Sequence, residues 1–273
     1  MTSSVSLTHR SVISVSGTEA EAFLNAIVTT STLGLREREF RYGGLLTPQG
    51  KLIGDMLLTR SGDAILIDCA AIAAPAIIRR LTLMKLRAAV SIEERTDLGV
   101  SVFAGAPDPR SSLAPARLIG PRTDGGDAAL YHAARIAAGL AEQGFDFGLE
   151  DVFAADINMD LLGGIDFKKG CFVGQEVASR MKRRGTARRR TLKAHVLHGT
   201  PTPSPVLAND FEIGLLTSIS GGEGLVRVRI DRLAEAQASG AAITANGAPI
   251  TFADPPWLAG ELAALAEAKE PKA

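Results

Sequence analysis

The sequence predicts an α+β fold in two parts, because helical and strand periodicities are mixed up to residue 187 and strand patterns dominate after Arg190. The chain has 273 residues, 46% of them apolar, so it can bury a sizeable core in one large or two ordinary domains. We expect an α+β region over residues 1–187, a β-barrel-like domain over 188–261 and a tail over 262–273 that is either a helix or frayed. The proline-rich stretch 106–127 is expected to be a loop or a weak domain boundary.

Short apolar runs and turn residues mark the elements of the first region in order. Strands are expected at 11–15, 52–59, 63–69 and 98–104, with a turn at Ser61-Gly62. Helices are expected after Thr18, where Glu21 would complete a capping box, after Pro75, and over 134–142.

The second region shows the alternation of half-buried strands. Val226 and Val228 alternate with Arg227 and Arg229, which predicts one apolar and one charged face. Asn246-Gly247 is a strong signal for a two-residue hairpin turn. These patterns favour a small β-barrel.

Composition limits the possible functions. The formal net charge is zero, whereas a surface built for nucleic acid is usually basic, so any anion site must be local. The two cysteines, Cys69 and Cys171, imply no disulfide framework, and the four scattered histidines favour no metal site. We recognise no secretory signal and no membrane-spanning run, so we expect a cytoplasmic protein with no membrane partner.

The segment from Lys168 to Gly185 carries the clearest chemical signal. Gly170 permits a sharp turn, which would place Cys171 at or near the start of a helix. The helix dipole and the neighbouring lysines would favour the thiolate of Cys171. The alternative is a small buried hydrophobic residue, which is the role expected of Cys69 in its apolar strand.

The run K-G-C-F-V-G-Q-E over 169–176 resembles the hallmark motif of the folate-binding YgfZ family. The similarity extends to L-G-G-I-D-F-K over 162–168, to Arg180 and to Gly185. This family is built like the T-protein of glycine cleavage and helps to maintain iron–sulfur enzymes. The resemblance therefore implies a T-protein-like, folate-binding α+β fold followed by a C-terminal β-barrel, with tetrahydrofolate or a derivative as the cofactor.

Two weaker blocks bear on the folate site. The run L-T-P-Q-G-K-L-I-G-D over 46–55 resembles the block in which the T-protein places a carboxylate beside the folate nitrogens, and Asp55 matches that position. A carboxylate there can hydrogen-bond to a pterin amine, although Asp55 could equally make a turn contact at a strand edge. The run R-I-A-A-G over 135–139 has Ala137 where the T-protein has a pterin-gripping glutamate, which speaks against aminomethyl transfer.

The resemblance implies a folate cleft with Asp55 near the pterin and Cys171 at the rim, and these two are the candidate catalytic residues. Candidate cofactor-binding residues are Asp55, Asn158, Lys169, Gly170, Gln175, Glu176 and Arg180. Asn158 could instead cap adjoining backbone. Gln175 and Glu176 are expected on different faces of one helix.

A run of eight cationic residues lies between Arg180 and Lys193, and Arg183, Arg184 and Arg188 are its candidate anion-binding members. Clustered arginines suit an RNA backbone or the polyglutamate tail of a folate. The alternative is a solvated connector.

The expected function is that of a tetrahydrofolate-binding accessory protein for the maturation or repair of iron–sulfur enzymes, whose client or assembly proteins would be its partners. One alternative is a folate-dependent aminomethyl- or methyltransferase. Another is a tRNA-associated factor that acts through the basic run.

Overall fold

The computed structural model describes residues 4–123, 125–185 and 187–267. The first region contains strands β1 (Val5–Ser6), β2 (Arg10–Ser16), β3 (Arg41–Leu46), β4 (Leu52–Ser61), β5 (Ala64–Ala70), β6 (Ser91–Glu94), β7 (Leu98–Ala106) and β8 (Arg117–Pro121). Its helices are α1 (Ala20–Ile27), α2 (Ala74–Lys85), α3 (Ala128–Ala137) and α4 (Gln175–Arg183), with a 3-10 helix at Ala154–Ile157.

The later part of the chain contains strands β9 (Arg189–His195), β10 (Ser204–Ala208), β11 (Phe211–Ser220), β12 (Glu223–Arg229), β13 (Ile243–Ala245), β14 (Ala248–Pro249) and β15 (Thr251–Phe252). Its helices are α5 (Ile230–Ala238) and α6 (Leu258–Glu267). The expected tail is therefore helical as far as Glu267, and residues 268–273 lie outside the described part. No helix among the described residues is long and apolar enough to cross a membrane.

A five-stranded antiparallel sheet in the order β3-β4-β5-β2-β6 organises the first region. Successive strand residues point to opposite faces, so Ile13 packs with the helices α1 and α2 while its neighbour Val12 packs towards β7. Arg10, Tyr42, Asp55 and Asp68 share the face opposite the helices. Arg10 lies two residues before Val12 and Asp68 pairs with Val12, while Tyr42 pairs with Leu57, two residues after Asp55. Polar side chains from four strands thus point into one interior.

A three-stranded sheet in the order β1-β7-β8 faces that interior. The strands expected from the sequence in the first region are confirmed, but treating 106–127 as a loop is wrong in part. Residues 117–121 form β8, which pairs antiparallel with β7. Glycine and proline on either side of Leu118 and Ile119 conceal this short strand in the sequence.

Two expected helix boundaries are also wrong. The helix expected over 134–142 is α3, which ends at Ala137 because Gly139 takes the left-handed conformation with φ 73°. The expected capping box does not form, since the cap of α1 is Glu19 and makes no side-chain cap bond. Glu21 instead accepts a hydrogen bond from Arg60 at 2.5 Å.

The second region is one antiparallel sheet in the order β14-β13-β10-β11-β12-β9-β15. Its two edge strands, β14 and β15, are separated in sequence by Ile250 alone, so the chain itself joins the edges into a nearly closed barrel. Positive φ angles of 49° and 76° at Asn246 and Gly247 confirm the expected hairpin turn between β13 and β14.

Candidate functional site

The motif loop is the segment 166–174 that precedes helix α4. Asp166 shapes its first turn, because its Oδ1 accepts hydrogen bonds from the backbone N–H groups of Lys168 at 2.9 Å and Lys169 at 3.1 Å. Phe172 is only 7% exposed and packs in an apolar cluster with Tyr42 and Leu46. Cys171, its neighbour, is exposed and free. The buried phenylalanine therefore fixes the loop while the thiol faces solvent.

Lys169 fixes the loop from the other side. Its Nζ donates to the backbone carbonyl of Asn25 on α1 and lies 5.4 Å from the centroid of the Phe172 ring. Partial burial lowers the pKa of Lys169 to about 8, although Asp166 opposes that change. Lys169 is thus a tether of the loop rather than a freely projecting cation.

Glycines let the motif approach the hairpin between β3 and β4 closely. Gly174 has φ 78°, and a Cβ there would lie 2.7 Å from the carbonyl oxygen of Thr47 and 2.9 Å from Cβ of Leu46. No comparable crowding surrounds Gly170, which is exposed with open space about it. The backbone freedom expected at Gly170 is therefore needed at Gly174 instead.

Helix α4 begins after the thiol, not at it. Gly174 is the N-cap residue and Gln175 the first residue of the helix, so Cys171 precedes the cap by three positions. Because the dipole effect is confined to the first turn, the expected stabilisation of the Cys171 thiolate by this helix is not supported by the geometry.

Gln175 and Glu176 both line an open groove of about 510 Å³ along α4. Gln175 is half-buried and Glu176 is exposed, so the expectation that they project from different faces of the helix stays a prediction. Its other lining residues are Phe167, Ser179, Lys182 and Arg183. Arg180 is exposed on the same helix.

The basic run divides into two groups. Arg183, Arg184 and Arg188 are exposed, as are Arg180 and Lys182. Arg190, in contrast, is 1% exposed and forms ion pairs with Asp160 at 2.6 Å and Glu261 at 2.5 Å. Arg190 therefore joins the barrel to the first region, and only the earlier members of the run are free to meet an anion.

Asn158 lies apart from the motif loop. It ends the 3-10 helix with φ 59°, and its Nδ2 donates to the carbonyl oxygen of Thr191 at 2.7 Å. With Trp257 it lines a separate cavity of about 220 Å³ beside the barrel. The structure thus gives Asn158 an inter-domain hydrogen bond and does not bring it to the motif loop.

Asp55 is also separate from the motif loop and almost completely buried, with 1% of its surface exposed. Its Oδ2 accepts a hydrogen bond from the Tyr42 hydroxyl at 3.3 Å, whereas its Oδ1 has no partner among the described residues. Burial raises the pKa of Asp55, and the charges of Arg10 and Arg110 oppose this rise. Tyr42 connects the two places, since its ring packs with Phe172 and its hydroxyl reaches Asp55.

A network of buried ionisable groups surrounds Asp55, and we call it the charged centre. Its members are Arg10, Tyr42, Asp55, Asp68, Asp108, Arg110, Arg117, Tyr131 and Glu142. Asp68 binds Arg10 at 2.6 Å and Arg117 at 2.7 Å through its two oxygens. Glu142 accepts hydrogen bonds from Arg10 at 2.8 Å and from Tyr131 at 2.5 Å.

The charged centre has three arginines and four carboxyl groups, so full ionisation would leave one excess negative charge. Burial works to raise the pKa of Glu142, but Arg10, His9, Arg110 and Arg117 together outweigh it and hold the pKa of that carboxyl well below its usual range. Asp55 has the opposite shift, because burial raises its pKa more than the charges of Arg10 and Arg110 lower it. A buried carboxyl group with one unbonded oxygen can accept a hydrogen bond from a ligand.

Sequence reasoning missed most of the charged centre. One signal was present, since Asp68 is a single carboxylate within the apolar run A-I-L-I-D-C-A of β5. Lone charges in buried strands need partners, so such a residue predicts buried arginines elsewhere. Which arginines these are depends on the tertiary fold.

Comparisons with known proteins agree with this architecture. Residues 188–260 match the family model of the CAF17 C-terminal β-barrel domain. The crystal structure of the glycine cleavage system aminomethyltransferase T from Bartonella henselae superposes with a TM-score of 0.72 over 93% of this chain and 85% of that one, at 15% identity. The expected T-protein-like fold with a C-terminal β-barrel is thereby confirmed.

Two curated relatives are similar over most of this chain. The mitochondrial iron-sulfur cluster assembly factor IBA57 homolog of Pyricularia oryzae is 30% identical over 216 residues, which are 68% of this chain and 55% of that protein. The Neurospora crassa homolog of the same name is 30% identical over 227 residues, 68% of this chain and 52% of that protein. The chain spans about half the length of the curated relatives it matches.

The fold and the barrel define a T-protein-like protein of the kind that ends in a CAF17-type barrel. The chain belongs to the CAF17/IBA57 family, which fits the YgfZ-type resemblance of the motif at 169–176. The relatives are named as mitochondrial proteins, and this contradicts the cytoplasmic location expected from the sequence.

Proposed function

We propose that this protein supports the maturation of iron–sulfur proteins and that Cys171 is the residue through which it acts. The observation that carries the proposal is the exposed thiol of Cys171 on a loop fixed by Phe172 and Lys169. The matched relatives are named iron-sulfur cluster assembly factors, which supports the same role here.

Cys171 is the accessible one of the two cysteines. Cys69 is completely buried, and burial raises the pKa of its thiol to about 12. Thiolates are the usual protein ligands of iron–sulfur clusters, and a four-thiolate site needs more cysteines than this chain contains. The described residues contain no group of three or more histidine, cysteine or acidic side chains suited to a metal ion. A cluster in contact with Cys171 would therefore be cargo shared with a client or assembly protein.

The test is complementation of a strain that lacks the gene, with the activity of a four-iron-cluster enzyme measured during aerobic growth. We expect Cys171→Ser to give no recovery, although the variant protein accumulates normally. Ser112→Ala, at another exposed small side chain, is the control and should restore activity fully. Full restoration by Cys171→Ser would refute the role of the thiol.

We also propose that the chain binds tetrahydrofolate, with Asp55 as the group that accepts a hydrogen bond from the pterin. The unpartnered Oδ1 of Asp55 and the adjacent Tyr42 ring fit a planar ring with N–H donors. When bound, the folate would supply a carrier for one-carbon units. Ala137 contributes no carboxylate at the end of α3; its carbonyl oxygen accepts a hydrogen bond from Lys193 at 2.8 Å. We therefore do not propose aminomethyl transfer.

Anaerobic calorimetric titration with tetrahydrofolate tests the second proposal. We expect micromolar binding that is weakened at least tenfold by Asp55→Asn, since the amide offers one acceptor oxygen instead of two. Asp63→Asn, in the exposed turn between β4 and β5, is the control. Equal affinity of the Asp55→Asn variant and the wild type would exclude Asp55 from the site.

A further inference from the structure

The hairpin loop between β7 and β8 covers the charged centre with two side chains. Asp108 is 4% exposed and Arg110 is 6% exposed, whereas the residues beside them, Pro107 and Pro109, are exposed and Leu113 is 71% exposed. The loop therefore lies at the surface except where Asp108 and Arg110 point inward.

Arg110 and Asp108 form a two-point ion pair inside the same loop. The two carboxylate oxygens of Asp108 accept hydrogen bonds from Nε of Arg110 at 3.0 Å and from its Nη2 at 2.7 Å. The backbone N–H of Arg110 donates to the same carboxylate at 3.0 Å. Burial works to raise the pKa of Asp108, but Arg110 and Arg117 together outweigh it and lower the pKa to about 2. The loop thus carries its own counter-ion, so the Asp108–Arg110 pair can leave the interior as a neutral unit once the 3.6 Å contact between Asp108 and Nε of Arg117 is broken.

The Arg110 guanidinium lies against the residues that surround Asp55. Its Cζ is 5.5 Å from the centroid of the Tyr42 ring, and the hydroxyl of that ring donates to Asp55. A planar cation with N–H donors at its edge is therefore placed on an aromatic face next to a buried carboxyl group with one unbonded oxygen. Such an arrangement resembles the recognition of a ligand rather than the packing of a core.

We propose that Arg110 occupies, from within the chain, the place of the guanidine-like edge of a ligand, and that this loop must move outward before a 2-amino-4-oxopyrimidine ring reaches Asp55. The 2-amino group and the adjacent N3–H of a pterin donate side by side in one plane, as two neighbouring N–H groups of a guanidinium do. This inference rests on the folate part of the proposed function.

The proposal makes ligand affinity depend on the open form of the loop. When only a fraction of molecules is open, the apparent dissociation constant rises in inverse proportion to that fraction. An alternative form populated at 10% or less is usual for such equilibria, so removal of the Arg110 side chain is expected to strengthen binding about tenfold or more.

The first experiment needs no folate. Arg110→Ala leaves a vacancy lined by Asp108 and Tyr42, and millimolar methylguanidinium should fill it and raise the Tm of this variant by about 2 °C or more. Arg122→Ala, at the exposed end of the same sheet, is the matched control and should show no such rise, and methylammonium should not replace methylguanidinium. Absence of any selective stabilisation of Arg110→Ala would overturn the proposed guanidine site.

The second experiment titrates the wild type, Arg110→Ala and Arg110→Lys with tetrahydrofolate. Tighter binding by Arg110→Ala, lost again on addition of Asp55→Asn, supports displacement of Arg110 by the ligand. Arg110→Lys keeps the positive charge but lacks the planar guanidinium group, and it replaces the alanine variant if that variant does not fold. It too should bind tetrahydrofolate more tightly than the wild type. Binding that is unchanged or weaker in both variants overturns the proposal while folate binding stands.

The two proposals can fail separately. Rescue by methylguanidinium without folate binding by any variant would refute the folate function and leave the guanidine site in place. Folate binding that does not compete with methylguanidinium in Arg110→Ala would show that the two groups use different places, which refutes the self-occupied site.

Discussion

The charged centre and the barrel core fill two interiors of the same chain in opposite ways. The barrel is filled by apolar side chains, among them Val206, Leu216, Val226 and Val228, none of which has measurable exposure. The charged centre is filled by guanidinium, carboxyl and phenol groups joined by hydrogen bonds.

The difference indicates what each interior is for. Burial of apolar side chains is sufficient to stabilise a barrel. A buried ion network is often no more stable than an apolar core of equal volume. A network that also leaves Oδ1 of Asp55 without a partner is therefore poorly explained by stability alone. We interpret the barrel as scaffold and the charged centre as the remains, or the working form, of a ligand site.

The largest effect on stability is expected from Asp68→Asn in the charged centre. The substitution keeps the shape but removes the charge that neutralises both Arg10 and Arg117, and it leaves two buried guanidinium groups undercompensated. The expected loss is about 3–5 kcal/mol in the free energy of unfolding, measured by urea denaturation. Asp97→Asn, in an exposed pair with Arg95, is the control and should leave it nearly unchanged. Equal small losses in both variants would contradict the contrast between the two interiors.

Substitutions in the barrel should lower the free energy of unfolding through lost packing rather than through an unpaired charge. Leu216→Ala is expected to cost about 3 kcal/mol, because the side chain is completely buried and its removal leaves a cavity. The loss should be the same from pH 5 to pH 8, since no charge is altered. Leu197→Ala, at a residue that is 66% exposed, is the control. A strong pH dependence for Leu216→Ala would show that the two interiors are coupled.

A smaller and pH-dependent effect is expected from Asp55→Asn. The folded-state pKa of Asp55 is raised by burial, so its ionisation destabilises the native protein as pH increases from the usual range of a free carboxyl through the folded pKa. The variant should therefore gain stability relative to the wild type over that window and keep a constant difference above it. Urea unfolding of both proteins from pH 4 to pH 8 measures this difference.

The carboxyl groups of the charged centre with lowered pKa values change the stability of the protein with pH in the opposite direction. Asp108 and Glu142 contribute stability above the usual carboxyl range, and this contribution is lost as pH falls through their folded pKa values. If Asp55→Asn instead lost stability relative to the wild type as the pH rises, Asp55 would behave like these two groups. That result would contradict the raised pKa of Asp55.

Local patterns were sufficient where one element decides the structure. The alternation and turn residues of β4 and β5 predicted both strands, and Asn246-Gly247 predicted the barrel hairpin. The motif predicted the position of an exposed segment before α4 but not its geometry. The N-cap of α4 is Gly174, three positions after Cys171, so the helix begins too late for its dipole to act on the thiol. Gly174, and not Gly170, makes the close approach to β3 and β4.

The charged centre could not be predicted because its members come from widely separated parts of the chain. Arg10, Asp68 and Glu142 meet only when β2 pairs with β5 and the segment after α3 packs across them. Asp55 was identified by resemblance, yet its neighbour Arg110 lies in a proline-rich stretch that reads as a plain loop. The periodicity of apolar residues shows on which face of a strand or helix a side chain lies. It does not show which distant charged group that side chain contacts in the fold.

The smallest effect on stability is expected at the motif loop. Cys171 is exposed and makes no contact that fixes the loop, so Cys171→Ser should change the free energy of unfolding by no more than about 0.5 kcal/mol. Phe172→Ala, one residue further on, should cost about 3 kcal/mol because the ring is packed with Tyr42 and Leu46. Urea unfolding of the two variants gives the comparison directly. A loss of more than 2 kcal/mol in Cys171→Ser would make the thiol a structural group and remove the basis for its proposed function, since loss of complementation would then follow from instability.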